Sequence, residues 1–169
     1  MVALTGTTTA NAANENHGQL SSADYRFAVN AFRANNSEVE LGQLAVQKAT
    51  DPGVKQFAQR MIDDHTKANQ QLQQILSQKS VTIPTPTSSS EERESDKLQK
   101  LSGADFDKAY IEHMVKDHKK DVKEFQKASE KTADADLKGF ASSTLPTLQD
   151  HLKMAEDLEQ TVKAEKKQS

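Results

Sequence analysis

Met61-Ile62-Asp63-Asp64-His65-Thr66-Lys67-Ala68-Asn69 reads as helix, with a histidine where a leucine would be expected. Around it, Val54, Ala58, Met61, His65, Ala68, Leu72 and Ile75 recur in steps of three and four. That spacing places all seven on one stripe of an amphipathic helix. His65 stands in the middle of the stripe. Three other long helical segments carry a polar residue at the equivalent place, and this recurrence directs the reading of the chain.

Working outward, helix A is expected from Ser21 or Ser22, where a serine can cap, with Asp24 in the first turn. Its stripe is Phe27, Ala31, Ala34, Glu38, Leu41 and Ala45, which turns Glu38 inward. Thr50-Asp51-Pro52-Gly53 is a break and restart, with Asp51 as N-cap and Pro52 at the first helical position. A link this short makes helices A and B an antiparallel hairpin. Helix B then runs to about Lys79.

From Ser80 to Gly103 the pattern lapses, and Ile83-Pro84-Thr85-Pro86 cannot be helical throughout. Glu91 to Leu101 reads as a short helix with Leu98 and Leu101 inward. The connector is long enough to cross a bundle from end to end. Helix C opens with a capping-box-like Ser102-Gly103-Ala104-Asp105 and ends near Lys131. Its apolar line includes Phe106, Tyr110, Ile111, Met114, Val122 and Phe125. Helix D starts around Asp134, with Leu137, Ala141, Thr144, Leu148, His151, Ala155, Leu158 and Val162 on its stripe, and Pro146 loosening one turn. The expected fold is all-α: an antiparallel four-helix bundle of two helical hairpins joined by a long crossover. It spans residues 21–166 with a connector at 80–102, a disordered leader at 1–20 that holds His17, and a frayed tail at 167–169.

Asp-His-x-Lys occurs three times, at Asp64-His65, Asp117-His118 and Asp150-His151. Phase turns Glu38, His65, His118 and His151 inward, one per helix. Glu38 and His65 stand 13 and 14 residues from Asp51, each ~20 Å along its helix. In the second hairpin His113 matches the height of His151 better than His118 does, and it shares a face with Asp117. Helix C therefore offers either His118 or the His113/Asp117 pair. Three imidazoles and a carboxylate at one level make a nitrogen/oxygen site for a divalent metal, zinc first, with iron, manganese, copper or nickel as alternatives. The metal-free alternative is a Glu38 carboxylate paired with a protonated histidine. The aspartates beside the histidines either orient these rings or face solvent.

Composition sets the outer bounds. In 169 residues, 28% are charged and 34% hydrophobic, which suits a helical bundle. The net charge of -3 gives no basic footprint for nucleic acid. With no cysteine, disulfides, thiolate sites and cysteine nucleophiles are excluded. No run is long enough to span a membrane. Residues 1–16 are rich in Ala, Thr and Asn, like the mature side of a cleaved export signal, without an intact signal peptide.

The segments Glu38-Val39-Glu40-Leu41-Gly42-Gln43-Leu44-Ala45, Val54 to His65 (VKQFAQRMIDDH) and Thr144 to Leu152 (TLPTLQDHL) resemble a bacterial family of unknown function, number forty-one forty-two. The resemblance covers about residues 22–160. It implies a ferritin-like four-helix bundle in periplasmic or otherwise extracytoplasmic proteins, without a settled activity. A di-iron bundle needs Glu-x-x-His on two helices. Ile62, Val115 and Leu148 stand three residues before the histidines, so ferroxidase chemistry is not expected. Neither a phosphate loop, a nucleophile elbow nor a zinc-protease motif is present. Two functions remain from sequence: an exported metal-binding bundle, monomeric or dimeric, and a metal-free structural or interaction module of the envelope, stress-related in one version.

Overall fold

A computed structural model describes residues 17–83 and 90–165. Most of the expected leader, residues 84–89 of the connector and the expected tail lie outside the described residues. Within them the chain is all-helical: α1 (Ser22–Lys48), α2 (Pro52–Gln78), α3 (Ser90–Gln99), α4 (Gly103–Lys131) and α5 (Ala135–Glu165). α1 packs along α2, and α4 along α5. The two pairs meet chiefly through α2 on α5 and α1 on α4.

Helix starts follow the capping chemistry of the sequence in most places. Ser21 Oγ accepts from Asp24 N at 3.1 Å, and Asp51 Oδ1 accepts from Val54 N at 2.8 Å ahead of Pro52. Asp134 Oδ1 takes the amides of Asp136 and Leu137 at the head of α5. Ser102 departs from the expected capping box. It occupies the cap position with an extended backbone but makes no side-chain cap bond, and Gly103 enters α4 at φ +58°. α5 runs on through Pro146. The end of the expected leader is structured instead of loose: Leu20 is buried, and the His17 ring stacks on Tyr25 at 4.1 Å between centroids.

The buried face of α1 also differs from the expected stripe. Tyr25, Val29 and Asn35 point inward, whereas Phe27 and Ala34 flank the core. An alanine-rich half-helix gives several nearly equal stripes, and tertiary packing selects among them. Gly42 lies where α1 crosses α2. A Cβ there would come within 2.9 Å of Ile62 Cγ1 and 3.0 Å of the Ala58 carbonyl.

Each turn of one helix pair is held by an aspartate of the other. Asp107 of α4 accepts Thr50 N, Thr50 Oγ1 at 2.6 Å and Asp51 N at 2.9 Å in the α1–α2 turn. Asp24 of α1 accepts Ala133 N and Asp134 N in the α4–α5 turn, the second at 3.1 Å. Both carboxylates are buried. They satisfy backbone donors that the short turns leave open. Lys79, at the end of α2, adds ion pairs to Asp134 and Asp136, each at 2.7 Å.

The core is two clusters, not one. One gathers Leu41, Phe57, Met61, Phe106, Tyr110, Met114 and Ala155; the other gathers Ala28, Leu72, Phe125, Phe140 and Leu148. On each of α1, α2, α4 and α5 the chain passes from one cluster to the other, and a buried polar residue stands at the crossing: Asn35 and Glu38, His65, His118 and Asp121, His151.

Replacing Asp107 by alanine removes the one carboxylate that accepts from Thr50 N, Thr50 Oγ1 and Asp51 N. The expected cost is about 2–4 kcal/mol in urea unfolding, against less than about 0.5 kcal/mol for Asp136→Ala on the exposed surface.

Candidate metal centre

His65 on α2, His118 on α4 and His151 on α5 converge between the two apolar clusters. Their ring centroids are 5.3–5.6 Å apart, and none is more than 2% exposed. One ring nitrogen of each lies within 4.8 Å of the others, and among the described residues no other cluster of three such donors occurs. The centre of an equilateral triangle with sides of 4.8 Å lies about 2.8 Å from each corner, against ~2.0–2.1 Å for a metal–imidazole bond, so a bound ion would draw the rings inward.

Each ring has one nitrogen engaged and one left over. His65 Nδ1 lies 2.8 Å from Asn35 Oδ1, so its N–H donates to the amide oxygen. His118 Nδ1 donates to the Met114 carbonyl, one helical turn back, at 3.0 Å. His151 Nε2 donates to Asp64 Oδ2 of α2 at 2.8 Å. His65 Nε2, His118 Nε2 and His151 Nδ1 are buried without a hydrogen-bond partner. Each acceptor fixes its ring's tautomer, so the left-over nitrogen carries a lone pair.

Burial is the first cause that lowers the pKa of all three rings. The other imidazoles add to it at His65, and His118 falls to about 4. Hydrogen bonding to Asp64 opposes the fall at His151 without overcoming it. All three are neutral at pH 7, the state a metal requires. At Asp64, burial raises the carboxyl, but the bonds from His151 and Arg60 outweigh it and hold it below the usual range. Asp64 therefore serves the histidine of another helix, not its sequence neighbour His65. Asp150 is exposed, 4.0 Å from Arg60.

Glu38 is buried beside the triad. Its Oε1 is 3.9 Å from His118 Nδ1, the edge committed to Met114, and its Oε2 has no partner. Burial, then the nearby Asp121 and Asp117, push its pKa well above the usual carboxylate value. His113 and Asp117 form a separate pair, Nε2 to Oδ2 at 3.0 Å, with Glu94 of α3 3.9 Å from His113 Nδ1. The structure therefore brings His65, His118 and His151 together, sets Glu38 alongside, and turns His113 and Asp117 toward α3.

Several inward polar residues are missing from the sequence reading, Asn35, Asn69, Asp107 and Asp121 among them. Asparagine on a helix is usually exposed, so residue type alone does not mark Asn35 or Asn69 as inward. Asp121 displaces Val122 from the inner face of α4. The signal that finds Asn69 is its i+4 spacing from His65, which puts both on one face.

A family model described as a domain of unknown function, DUF4142, matches residues 9–158. Comparison with curated proteins returns no match. Three solved structures are similar in fold. A DUF305 protein of Streptomyces coelicolor, described as secreted, has a TM-score of 0.73 at 16% identity, covering 83% of this chain and 94% of its own. A DUF305 fragment from Deinococcus radiodurans has a TM-score of 0.75 at 13% identity, covering 84% and 98%. CopM in its Cu(I)-bound form has a TM-score of 0.70 at 17% identity, covering 82% and 96%. At these identities the likeness is one of fold.

The buried groups give opposite pH dependences. An imidazole whose folded pKa is depressed lends stability that is whole above its unfolded value, about 6.5, and lost as pH falls toward the folded value, about 4 for His118. Asp121 is raised to about 7, by burial first and then by Asp117, so its contribution is whole below its unfolded value near 3.8 and lost as pH rises through about 7. Asp121→Asn is expected to raise the Tm of metal-free protein by several degrees at pH 8, with the gap closing below about pH 4. In that variant the loss of Tm between pH 6.5 and 4 should be steeper than in the wild type. Tm against pH by circular dichroism checks both.

Proposed function

The chain belongs to the DUF4142 family, a domain of unknown function, and on that premise we propose that it is an extracytoplasmic metal-binding bundle that holds one transition-metal ion on His65, His118 and His151. The observation that carries this reading is the set of three buried, unpartnered ring nitrogens, one on each ring. An apolar core has no use for three lone pairs at one level. Leaving a buried acceptor unsatisfied costs ~1–3 kcal/mol each, and a bound ion would offset all three at once. In this reading Glu38 is a neighbour and not a ligand, and the bundle is the ferritin-like, antiparallel arrangement of two hairpins joined by a crossover.

Copper is the ion we favour. The donors are three neutral imidazoles without a charged ligand, which suits Cu(I) and Ag(I) as well as Cu(II) and Zn²⁺. A protein of the same fold, CopM, has been solved in Cu(I)-, Cu(II)- and Ag-bound forms. Zinc, the first expectation from residue types, fits the same three donors with a fourth position open. The ion would be cargo to be buffered or sequestered. A periplasmic location accords with the secreted DUF305 neighbour, and no helix of the described residues is long and apolar enough to cross a membrane.

Untagged protein purified at neutral pH is expected to bind one equivalent of Cu(I) in competition with a chromogenic chelator, with weaker one-to-one uptake of Zn²⁺. At a thousandfold excess over Kd the ion should stabilise the fold by about 4 kcal/mol. His65→Ala, His118→Ala and His151→Ala should each lower affinity at least a hundredfold. Stoichiometric binding that survives all three substitutions, or a Tm indifferent to copper, zinc and chelator, would sink the reading in favour of a structural module.

A further inference from the structure

The His65 tautomer is set from outside the metal cluster by a directional ladder of amides between α1 and α2. His65 Nδ1 is 2.8 Å from Asn35 Oδ1. Asn35 Nδ2 donates to Asn69 Oδ1 at 2.9 Å. Asn69 Nδ2 donates to Asn36 Oδ1 at 2.7 Å and reaches the Phe32 carbonyl at 3.4 Å. Asn35 and Asn69 are both buried, 3% and 6% exposed.

The ladder has one direction. A primary amide can be turned end for end, exchanging its donor and acceptor. The Phe32 carbonyl is backbone and can only accept. Turning Asn69 would set its oxygen against that carbonyl, acceptor to acceptor, inside the protein. With Asn69 fixed, its Oδ1 faces Asn35, which must answer with its amino group. The Asn35 oxygen is then left facing His65, so His65 must donate from Nδ1 and keeps its lone pair on Nε2.

We propose that Asn35 and Asn69 are positioning residues of the metal centre: they transmit the polarity of the Phe32 carbonyl across two side chains and commit His65 to bind through Nε2. This rests on the metal-binding reading of the three histidines. The other two rings obtain the same commitment directly, His118 from a backbone carbonyl and His151 from a carboxylate. His65 Nδ1 meets neither but faces the Asn35 amide, which Asn69 joins to the Phe32 carbonyl. Aspartate at position 35 can only accept, so it preserves the His65 tautomer while giving up the donor to Asn69 Oδ1. Leucine of similar size removes the acceptor, and the proton is free to move to Nε2, where it blocks the metal.

The test uses ¹⁵N-labelled full-length protein, metal-free, at pH 8, where the rings are neutral. Long-range ¹H–¹⁵N correlation spectra assign the protonated nitrogen of each histidine. The expected result is a proton on Nδ1 of His65 in the wild type and in Asn35→Asp, and on Nε2 in Asn35→Leu. Asn69→Leu, which removes only the distal link, should give a mixture. Cu(I) affinity measured against a chromogenic chelator should fall about 10–100-fold in Asn35→Leu and stay within a few-fold of wild type in Asn35→Asp. His118 and His151 should keep their tautomers throughout. A wild-type His65 protonated on Nε2 would overturn the proposal, as would an Asn35→Leu protein that retains both the Nδ1 proton and the affinity. Should Asn35→Leu fail to fold, Asn69→Leu and Asn35→Asp decide the matter by the same spectra. The expected tautomers with no copper or zinc uptake would uphold the ladder and sink the metal reading, so the two fail separately.

Discussion

Everything in this bundle accommodates a polar layer that crosses the apolar core. Three imidazoles, two amides and the carboxyls of Glu38 and Asp121 lie between two hydrophobic clusters, all nearly excluded from solvent. Such a layer is stable only where nearly every donor is matched, because an unmatched one forfeits its hydration without return. The ring and amide donors are matched: each ring N–H has an acceptor, and both buried asparagines donate. What remains unmatched is mostly acceptor capacity, three ring lone pairs directed into the layer. That imbalance is what the metal-binding reading rests on, against a polar core that merely specifies packing. A purely structural network tends toward closure, with donors and acceptors in equal number.

Holding the layer level is the task of the turns. Asp107 ties α4 to the α1–α2 turn, and Asp24 ties α1 to the α4–α5 turn. Each carboxylate fixes the height of one helix pair against the other at one end of the bundle. Without such ties, two apolar faces of this kind could slip by a turn, ~5.4 Å, at little hydrophobic cost. A slip of that size would carry His118 away from His65 and His151. Gly42 acts in the perpendicular direction, bringing α1 close enough to α2 for Asn35 to reach both His65 and Asn69.

The sequence carried most of the helices, because caps and breakers act locally: Ser21, Asp51 with Pro52, and Asp134 mark starts that the structure reproduces. It also turned Glu38, His65, His118 and His151 inward, since a polar residue on a strong apolar stripe has little choice of direction. It could not choose between His113 and His118, because counting residues from a turn assumes parallel axes and equal rises. The structure sets His118 with the other two rings, although its height by that count is about one turn off. Asn35 and Asp121 were not legible. Each lies where an alanine or valine next to it offered an equally good stripe, and only the packing of α1 on α4 and α2 decides between them. The partner of each imidazole was also beyond reach, since Asp64 serves a ring 87 positions away.

The same layer argues for one ion and not two. A di-iron bundle places a carboxylate one turn before each histidine of its pair, so that the acids bridge the metals above and below the imidazole plane. Here those places hold Ile62, Val115 and Leu148, the last two buried in opposite clusters. The donor layer is therefore a single plane of rings with hydrocarbon on both sides. Of the carboxyls near that plane, Asp64 takes the His151 proton, and Glu38, its pKa raised by burial, meets His118 on the edge whose proton goes to Met114. On the metal-binding reading, three neutral imidazoles without a carboxylate ligand suit a cuprous or silver ion as well as a divalent one, and the charge of Asp64 reaches the ion only through His151.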